Sequence, residues 1–432
     1  MEDDMDKISL DSLILFDNIR QDEVINTGVK IFNEFLYRDY ISYMESEYYQ
    51  VQRTLLLKTE SEDISGNYWQ NYICRLIAES ESKLSCESNR HNRHAIVTTL
   101  AEKEVVCLKQ IYNLDWCTVA KTFKDEATSV CCTATTDSSG KREKIHEAMS
   151  LMDDTVTVAM LKDYYEKNSY GPFEKFEAFI WEGELIGIHN YDRVRFDNLI
   201  GYERQKAALI ENAEFFMKGY KANNVLLYGD KGTGKSSCVK ALLNKFGCEK
   251  LRMIELSKEN IGDLYKIMEK ISTWDCKFIL FIDDLSFEEN EVGYKHFKSV
   301  IEGGLEAQPS NVLLHVTSNR RNIIRETWDE RPSNSNEVHF SDNLQEKLSL
   351  ADRFGLTITF VCPSKDDFLN IVLGLAKQEA LALDESAVIE EALKWEMRYH
   401  SKSGRTARQF VNYLTAREGI KHHDGNHNQQ AD

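Results

Sequence analysis

Residues 223–246 read NNVLLYGDKGTGKSSCVKALLNKF: an apolar run, a glycine-rich turn, then a helix-forming segment. The turn, Gly229-Asp230-Lys231-Gly232-Thr233-Gly234-Lys235-Ser236, has the spacing G-x-x-x-x-G-K-S and sits between a strand and a helix, the context in which that spacing forms a phosphate cradle. Glycines let backbone N–H groups turn toward a β-phosphate, and the following helix adds the positive end of its dipole. Lys235 supplies a point charge to the β- and γ-phosphates, while the Ser236 hydroxyl is a magnesium ligand and Ser237 follows it at the helix start. Such a string arises by accident roughly 0.01–0.02 times in a chain of this length.

Working outward, residues from 193 onward alternate apolar runs with helical segments, the rhythm of a parallel sheet covered on both faces. The runs at 225–228, 251–256, 278–282, 312–317 and 357–361 predict five strands. The third ends in Asp283-Asp284, where a buried run delivers two carboxylates to the sheet edge. Asp283 is the expected magnesium partner and Asp284 the group that orients or activates water. The fourth ends in Thr317-Ser318-Asn319, and Asn319 is the residue expected to hold the attacking water. Arg353, just before the last strand, has the fork geometry to neutralise charge on the γ-phosphate of a neighbouring chain. Ile200-Gly201 lies upstream of the cradle.

After Pro363, helical patterns at 365–381, 385–400 and 406–419 predict a small bundle. It carries Arg405 and Arg408, of which Arg408, inside the helix, is the expected nucleotide sensor and Arg405 the alternative. Before residue 170 the pattern is mainly helical, with Trp69, Ile73, Leu76 and Ile77 on one face. The polar stretch 131–141 predicts a loop, and AFIWEGELIGI a hairpin around Glu182-Gly183. The expected organisation is therefore a helical N-terminal domain (1–170), a hairpin or linker (171–192), an αβα core with a five-stranded parallel sheet (193–363), a helical lid (364–420) and a disordered tail (421–432).

Composition narrows the partners. The 432 residues, 42% hydrophobic and 29% charged, fit two or three globular domains. A formal net charge of -18 opposes nonspecific attraction to a polyanion, so nucleic acid is not the expected partner. No apolar run is long enough to span a bilayer, and the acidic start lacks the pattern of a secretory signal. The ten cysteines lack paired zinc spacing and read as reduced residues of a cytoplasmic protein. His91 and His94 read as a polar turn.

Taken in order, FDNLIGYERQK, NNVLLYGDKGTGKSS, FIDDLSFE, IEGGLEAQPSNVLLHVTSNRR, EKLSLADRFGL and SGRTARQF make residues 193–414 resemble a bacterial AAA+ P-loop family catalogued as domain-of-unknown-function family 815. More distantly the chain is similar to replication initiators and helicase loaders. The resemblance implies ATP and magnesium as cofactors, a segment at Ile200-Gly201 set against adenine, a helical lid and a homo-oligomer. Many AAA+ proteins carry Glu where Asp284 stands. The expectation is an ATPase that switches or remodels a protein client engaged by the N-terminal domain. The alternatives are a nucleotide-binding regulatory module with little turnover and a small-molecule phosphotransferase.

Overall fold

The computed structural model describes residues 7–37, 42–59, 66–87, 95–125, 134–135, 142–287, 292–302, 307–320, 353–381, 384–399 and 401–428. His91, His94 and most of the predicted loop at 131–141 lie outside these. The chain forms two compact units, Met1–Lys175 and Phe176–Asp432.

The first unit is helical. Its expected stripe is real: Trp69, Ile73, Leu76 and Ile77 lie on the helix Tyr68–Ala78, and all are buried. That helix starts with a capping box, in which the Asn67 side chain accepts from the Gln70 N–H and the Gln70 side chain accepts from the Asn67 N–H. Trp69 and Trp116 pack edge to face, with centroids 5.0 Å apart. A Cβ on Gly28 would lie 2.5 Å from the Trp69 ring, so the helix Glu23–Tyr37 approaches only because that residue is glycine. Within the stretch 131–141, Ala134–Thr135 forms a short strand paired with Gly66–Asn67.

The second unit is built on one sheet. Its strands are β1 (Ala178–Trp181), β2 (Leu185–Ile188), β3 (Val225–Gly229), β4 (Leu251–Leu256), β5 (Lys277–Ile282), β6 (Val312–Ser318) and β7 (Leu356–Phe360), in spatial order β2-β1-β4-β5-β6-β3-β7. All neighbours pair parallel except β1 with β2. The five predicted strands are β3 to β7. The other two come from the predicted hairpin, which turns at Gly183 (φ +83) and lays β1 beside β4, giving seven strands where five were expected. Burial of Phe179 and Trp181 anchors it there, and the Trp181 indole donates to Asp263 Oδ2 at 2.8 Å.

Burial explains the continuous apolar runs: every residue of β6, and all but Lys277 in β5, is buried. Helices α1 (Glu203–Met217) and α2 (Lys235–Phe246) cover one face, packing Leu209, Phe216, Leu242 and Phe246 against Ile279, Phe281 and Leu313. Strand alternation sends Phe278, Leu280 and Ile282 to the other face, and they are equally buried. The unit also contains α3 (Leu264–Ser272) and α4 (Val292–Glu302). This is the expected αβα architecture.

Three further helices, α5 (Lys365–Gln378), α6 (Glu385–Tyr399) and α7 (Gly404–Asn428), form the lid around Phe368, Leu375, Phe410 and Leu414. Ser364 and Asp367 form a capping box that starts α5 right after Pro363. Helix α7 begins two residues earlier than the sequence pattern predicts and continues past Gly419, since one glycine costs only about 1 kcal/mol in a helix.

His315 stands out in β6. It is fully buried and, among the described residues, neither ring nitrogen has a hydrogen-bond partner, so burial pushes its pKa down to about 3 from the ordinary 6.5. The unfolded chain therefore binds this proton more readily than the folded one. Stability from this group is full above pH 6.5 and lost as pH falls from 6.5 toward 3, by about 1.4 kcal/mol per pH unit. Urea unfolding at pH 7 and pH 5 should show the parent losing about 2 kcal/mol more than His315→Leu over that interval. At pH 7 the variant should be at least as stable, because no buried polar atom is left unpaired. Equal pH responses would remove His315 as the source.

Candidate functional site

Because β3, β5, β6 and β7 are parallel, their carboxyl ends share one edge, and the strand order brings three polar tips together there. Ligands of open α/β sheets bind at such an edge. The chain leaves β3 through the glycine-rich turn. At Gly229 (φ +134) a Cβ would lie 1.9 Å from the Phe360 carbonyl oxygen, so glycine is required where β3 meets β7. Asp230 N–H then donates to Phe360 O at 2.9 Å, and the Asp230 carboxylate accepts from Cys362 N–H at 2.6 Å. Thr233 Oγ1 donates back to Asp230 O at 2.8 Å, closing the loop. Gly232 (φ +76) and Gly234 (φ +91) also occupy the left-handed region, and Gly234 caps α2.

Lys235, at the first position of α2, is 7% exposed. Its ammonium donates to Gly229 O (2.9 Å), Asp230 O (2.8 Å) and Asn319 Oδ1 (3.3 Å), one contact for each of its three protons. Burial lowers its pKa, against the raising influence of Asp284, Asp230 and Asp283. Asn319, at the tip of β6, donates through Nδ2 to Asp284 Oδ1. Lysine, amide and carboxylate thus form one chain of contacts.

A second chain runs beside it. Ser236 Oγ donates to Asp283 Oδ1 at 2.5 Å, and Thr317 Oγ1 donates to the same oxygen at 2.5 Å. The Asp284 N–H lies 3.1 Å from that oxygen and 2.8 Å from Thr317 Oγ1. Asp284 adopts φ +49, a region in which Asp and Asn are enriched among non-glycine residues.

The donor set suits magnesium. Ser236 Oγ and Asp283 are hard oxygen ligands in mutual contact, and among the described residues no group of three or more His, Cys, Asp or Glu forms a closed cation cage. Magnesium takes one or two protein oxygens and completes its shell with water and phosphate oxygens.

The lid closes over these groups, leaving a cleft of about 920 Å³. Ile200 and Gly201 line it beside α5, where a Cβ on Gly374 would come within 2.4 Å of Ile200. Lys231, Gly232, Thr233, Gly234, Lys235, Ser236, Ser237, Asp283, Asp284 and Asn319 also line it, whereas Gly229 and Asp230 shape the loop from behind. The loop and the lid touch directly: Arg405 N–H donates to Gly232 O at 3.1 Å, and a Cβ on Gly232 would lie 2.9 Å from Ser403 Oγ.

Both lid arginines line the cleft, but they differ. Arg408 donates to Glu379 Oε1 at 3.1 Å, whereas the Arg405 guanidinium has no ion pair among the described residues. Arg353 is not brought to the cleft. It is exposed and precedes β7, whose residues Leu356 and Phe360 pair with Val225 and Gly229, so it stands at the other end of the sheet from the phosphate loop.

The pairing of Thr317 with both acids escaped the sequence reading. A signal was present, since Thr317 and Asn319 are two residues apart and two-residue spacing shares a strand face.

Comparison with solved structures returns Thermotoga maritima RuvB at low similarity. One point variant is 18% identical, with 51% of this chain and 63% of that chain covered and a TM-score of 0.36. The RuvB Holliday junction branch migration motor is 15% identical, with 51% and 72% covered and a TM-score of 0.33. The match to the first of these spans less than two thirds of that chain's length. No curated protein matches the sequence significantly. Residues 174–418, more than half of the chain, match the family model described as "Protein of unknown function (DUF815)", and the protein belongs to that family.

Proposed function

We propose that the second unit binds ATP with magnesium and hydrolyses it by attack of water on the γ-phosphate. The observation that carries this reading is the convergence of Lys235, Ser236, Asp283, Asp284 and Asn319 through two connected chains of hydrogen bonds at one sheet edge. The adenine end of the cleft falls at Ile200 and Gly201, and the phosphates at the loop from Gly229 to Ser237. Lys235 exchanges carbonyl partners for phosphate oxygens, a replacement of neutral acceptors by charged ones. Ser236 and Asp283 hold magnesium, which supplies charge neutralisation at the β- and γ-oxygens. Asp284 and Asn319, already joined, position water on the γ-phosphate.

The lid arginine assigned to the γ-phosphate is Arg405 rather than Arg408. Arg405 adjoins the loop through its own N–H and has no competing carboxylate, whereas Arg408 must first leave Glu379. Arg353 serves the next chain of a homo-oligomer. Roughly 13 Å of strand between Leu356 and Phe360 separates it from its own loop. In a head-to-tail assembly a residue at that end faces a neighbour's site. Hydrolysis then changes the angle between core and lid, and the helical N-terminal unit engages a protein client.

Support for a cytoplasmic setting comes from the cysteines: all eight described ones are free. Among the described residues no helix is long and apolar enough to cross a membrane.

Calorimetric titration should find ATP bound tenfold to a hundredfold more weakly by Lys235→Ala, because a charge-assisted contact of about 1.5 to 3 kcal/mol is lost. Unchanged affinity would remove the phosphate-loop assignment. Phosphate release should fall at least tenfold in Arg405→Ala and less in Arg408→Ala; the reverse order would return the sensor role to Arg408. Activity per chain should rise with protein concentration. Arg353→Ala should bind ATP nearly normally yet turn over slowly, and mixing it with Lys235→Ala should restore part of the rate, since a mixed interface pairs an intact loop with an intact arginine. A dead mixture and a flat concentration dependence would make Arg353 structural. A parent silent at every concentration would favour a nucleotide-binding module over a hydrolase.

A further inference from the structure

Two adjacent carboxylates, Asp283 and Asp284, are asked to do different work, and their side chains alone do not distinguish them. Their surroundings do. Asp283 Oδ1 accepts from Ser236 Oγ, Thr317 Oγ1 and the Asp284 N–H, whereas no described residue donates to Oδ2. Asp284 holds a left-handed backbone and accepts from Asn319.

Among the described residues, the side chain bonded both to the Asp283 carboxylate and to the Asp284 N–H is Thr317, through its hydroxyl. It spends its single proton on Asp283 Oδ1, which leaves its lone pairs to accept the Asp284 N–H. The direction of that pair of bonds is therefore fixed. Thr317 is 1% exposed, on a strand whose every residue is buried, so the hydroxyl is held in place and shielded from competing water.

We propose that Thr317 is a positioning residue that sets the division of labour between the two acids. By occupying Oδ1 it turns Oδ2 of Asp283 outward for the magnesium shell. By accepting the Asp284 N–H it stabilises a left-handed backbone that is unfavourable for a non-glycine residue, and so aims the Asp284 carboxylate at Asn319. Ser236 cannot substitute for it. When Ser236 turns its hydroxyl to the cation, Thr317 and the Asp284 N–H are the donors that remain on Oδ1.

The inference rests on the magnesium-ATP reading, and its test separates the two. The full-length parent, Thr317→Val and Thr317→Ser are compared by ATP titration with and without magnesium, and by phosphate release. Valine keeps the shape and strand preference but removes the hydroxyl; serine keeps the hydroxyl. Thr317→Val should bind magnesium-free ATP within about twofold of the parent, need about tenfold more magnesium for its half-maximal effect, and release phosphate at least tenfold more slowly. Thr317→Ser should restore both. A merely structural role would lower the melting temperature without moving the magnesium midpoint. If Thr317→Val does not fold, Thr317→Ala provides the same deletion with a smaller side chain. An unchanged magnesium midpoint in a folded hydroxyl-free variant, or a serine variant that behaves like valine, overturns the proposal. If the parent releases no phosphate, the hydrolase reading fails by itself, and the magnesium midpoints still decide the role of Thr317.

Discussion

Two parallel ladders, β5 with β6 and β6 with β3, hold Lys235, Asp283, Asp284 and Asn319 in register. β6 pairs Val316 with Ile282 on one side and with Leu226 on the other, so its tip lies between the acid pair and the phosphate loop. Without that intervening strand Lys235 and Asp284 would face each other with nothing to divide them. With it, the Asn319 amide stands between, accepting from the lysine and donating to the acid. An amide offers both functions at once, which neither a carboxylate nor an ammonium does. The ladders are buried along their length, so the tips have a rigid base.

The electrostatics follow from that frame. Burial works against the Lys235 ammonium, while Asp230, Asp283 and Asp284 work for it. Three carbonyl oxygens hold the same group. A buried cation is tolerated only when it is surrounded in this way. The two acids are treated differently: Asp283 is held by hydroxyls and a backbone N–H, and Asp284 by an amide and a strained turn. The cleft is thus organised by its own hydrogen bonds.

What the sequence made legible was what its local order encodes. The turn at Gly229–Ser236 is readable because left-handed residues need glycine and because strand and helix flank it directly. The Asp283-Asp284 pair is readable because a buried strand must end where its side chains become polar. Pairings between distant segments were not readable. The hairpin at residues 178–188 showed its alternation, but that pattern carries no sign of its partner, so its place beside β4 was hidden. Thr317 looked like one polar residue among three. Arg405 and Arg408 were both visible, yet their difference depends on Glu379, some thirty residues away. Aspartate at 284 looked like a departure from a family habit, and its left-handed backbone gave no sign in the sequence.

The contact between Gly232 and the start of α7 ties these parts to motion. A lid that rests on a core through side chains alone can tilt without disturbing the loop beneath it. Here the lid's first helical turn donates a backbone N–H to the loop itself, and Ser403 and Arg405 occupy the space a Cβ on Gly232 would need. There is no slack at that point. A shift of the loop moves the Gly232 carbonyl, and α7 must follow or lose its bond. The same helix packs Phe410 and Leu414 into the lid core, so displacement at its start is carried through a close-packed body rather than absorbed by a loop. The cleft is also bounded by Ile200 against α5, a second contact that a tilt of the lid must open or compress. The loop side of the cleft and its Ile200 side are therefore joined through one close-packed bundle.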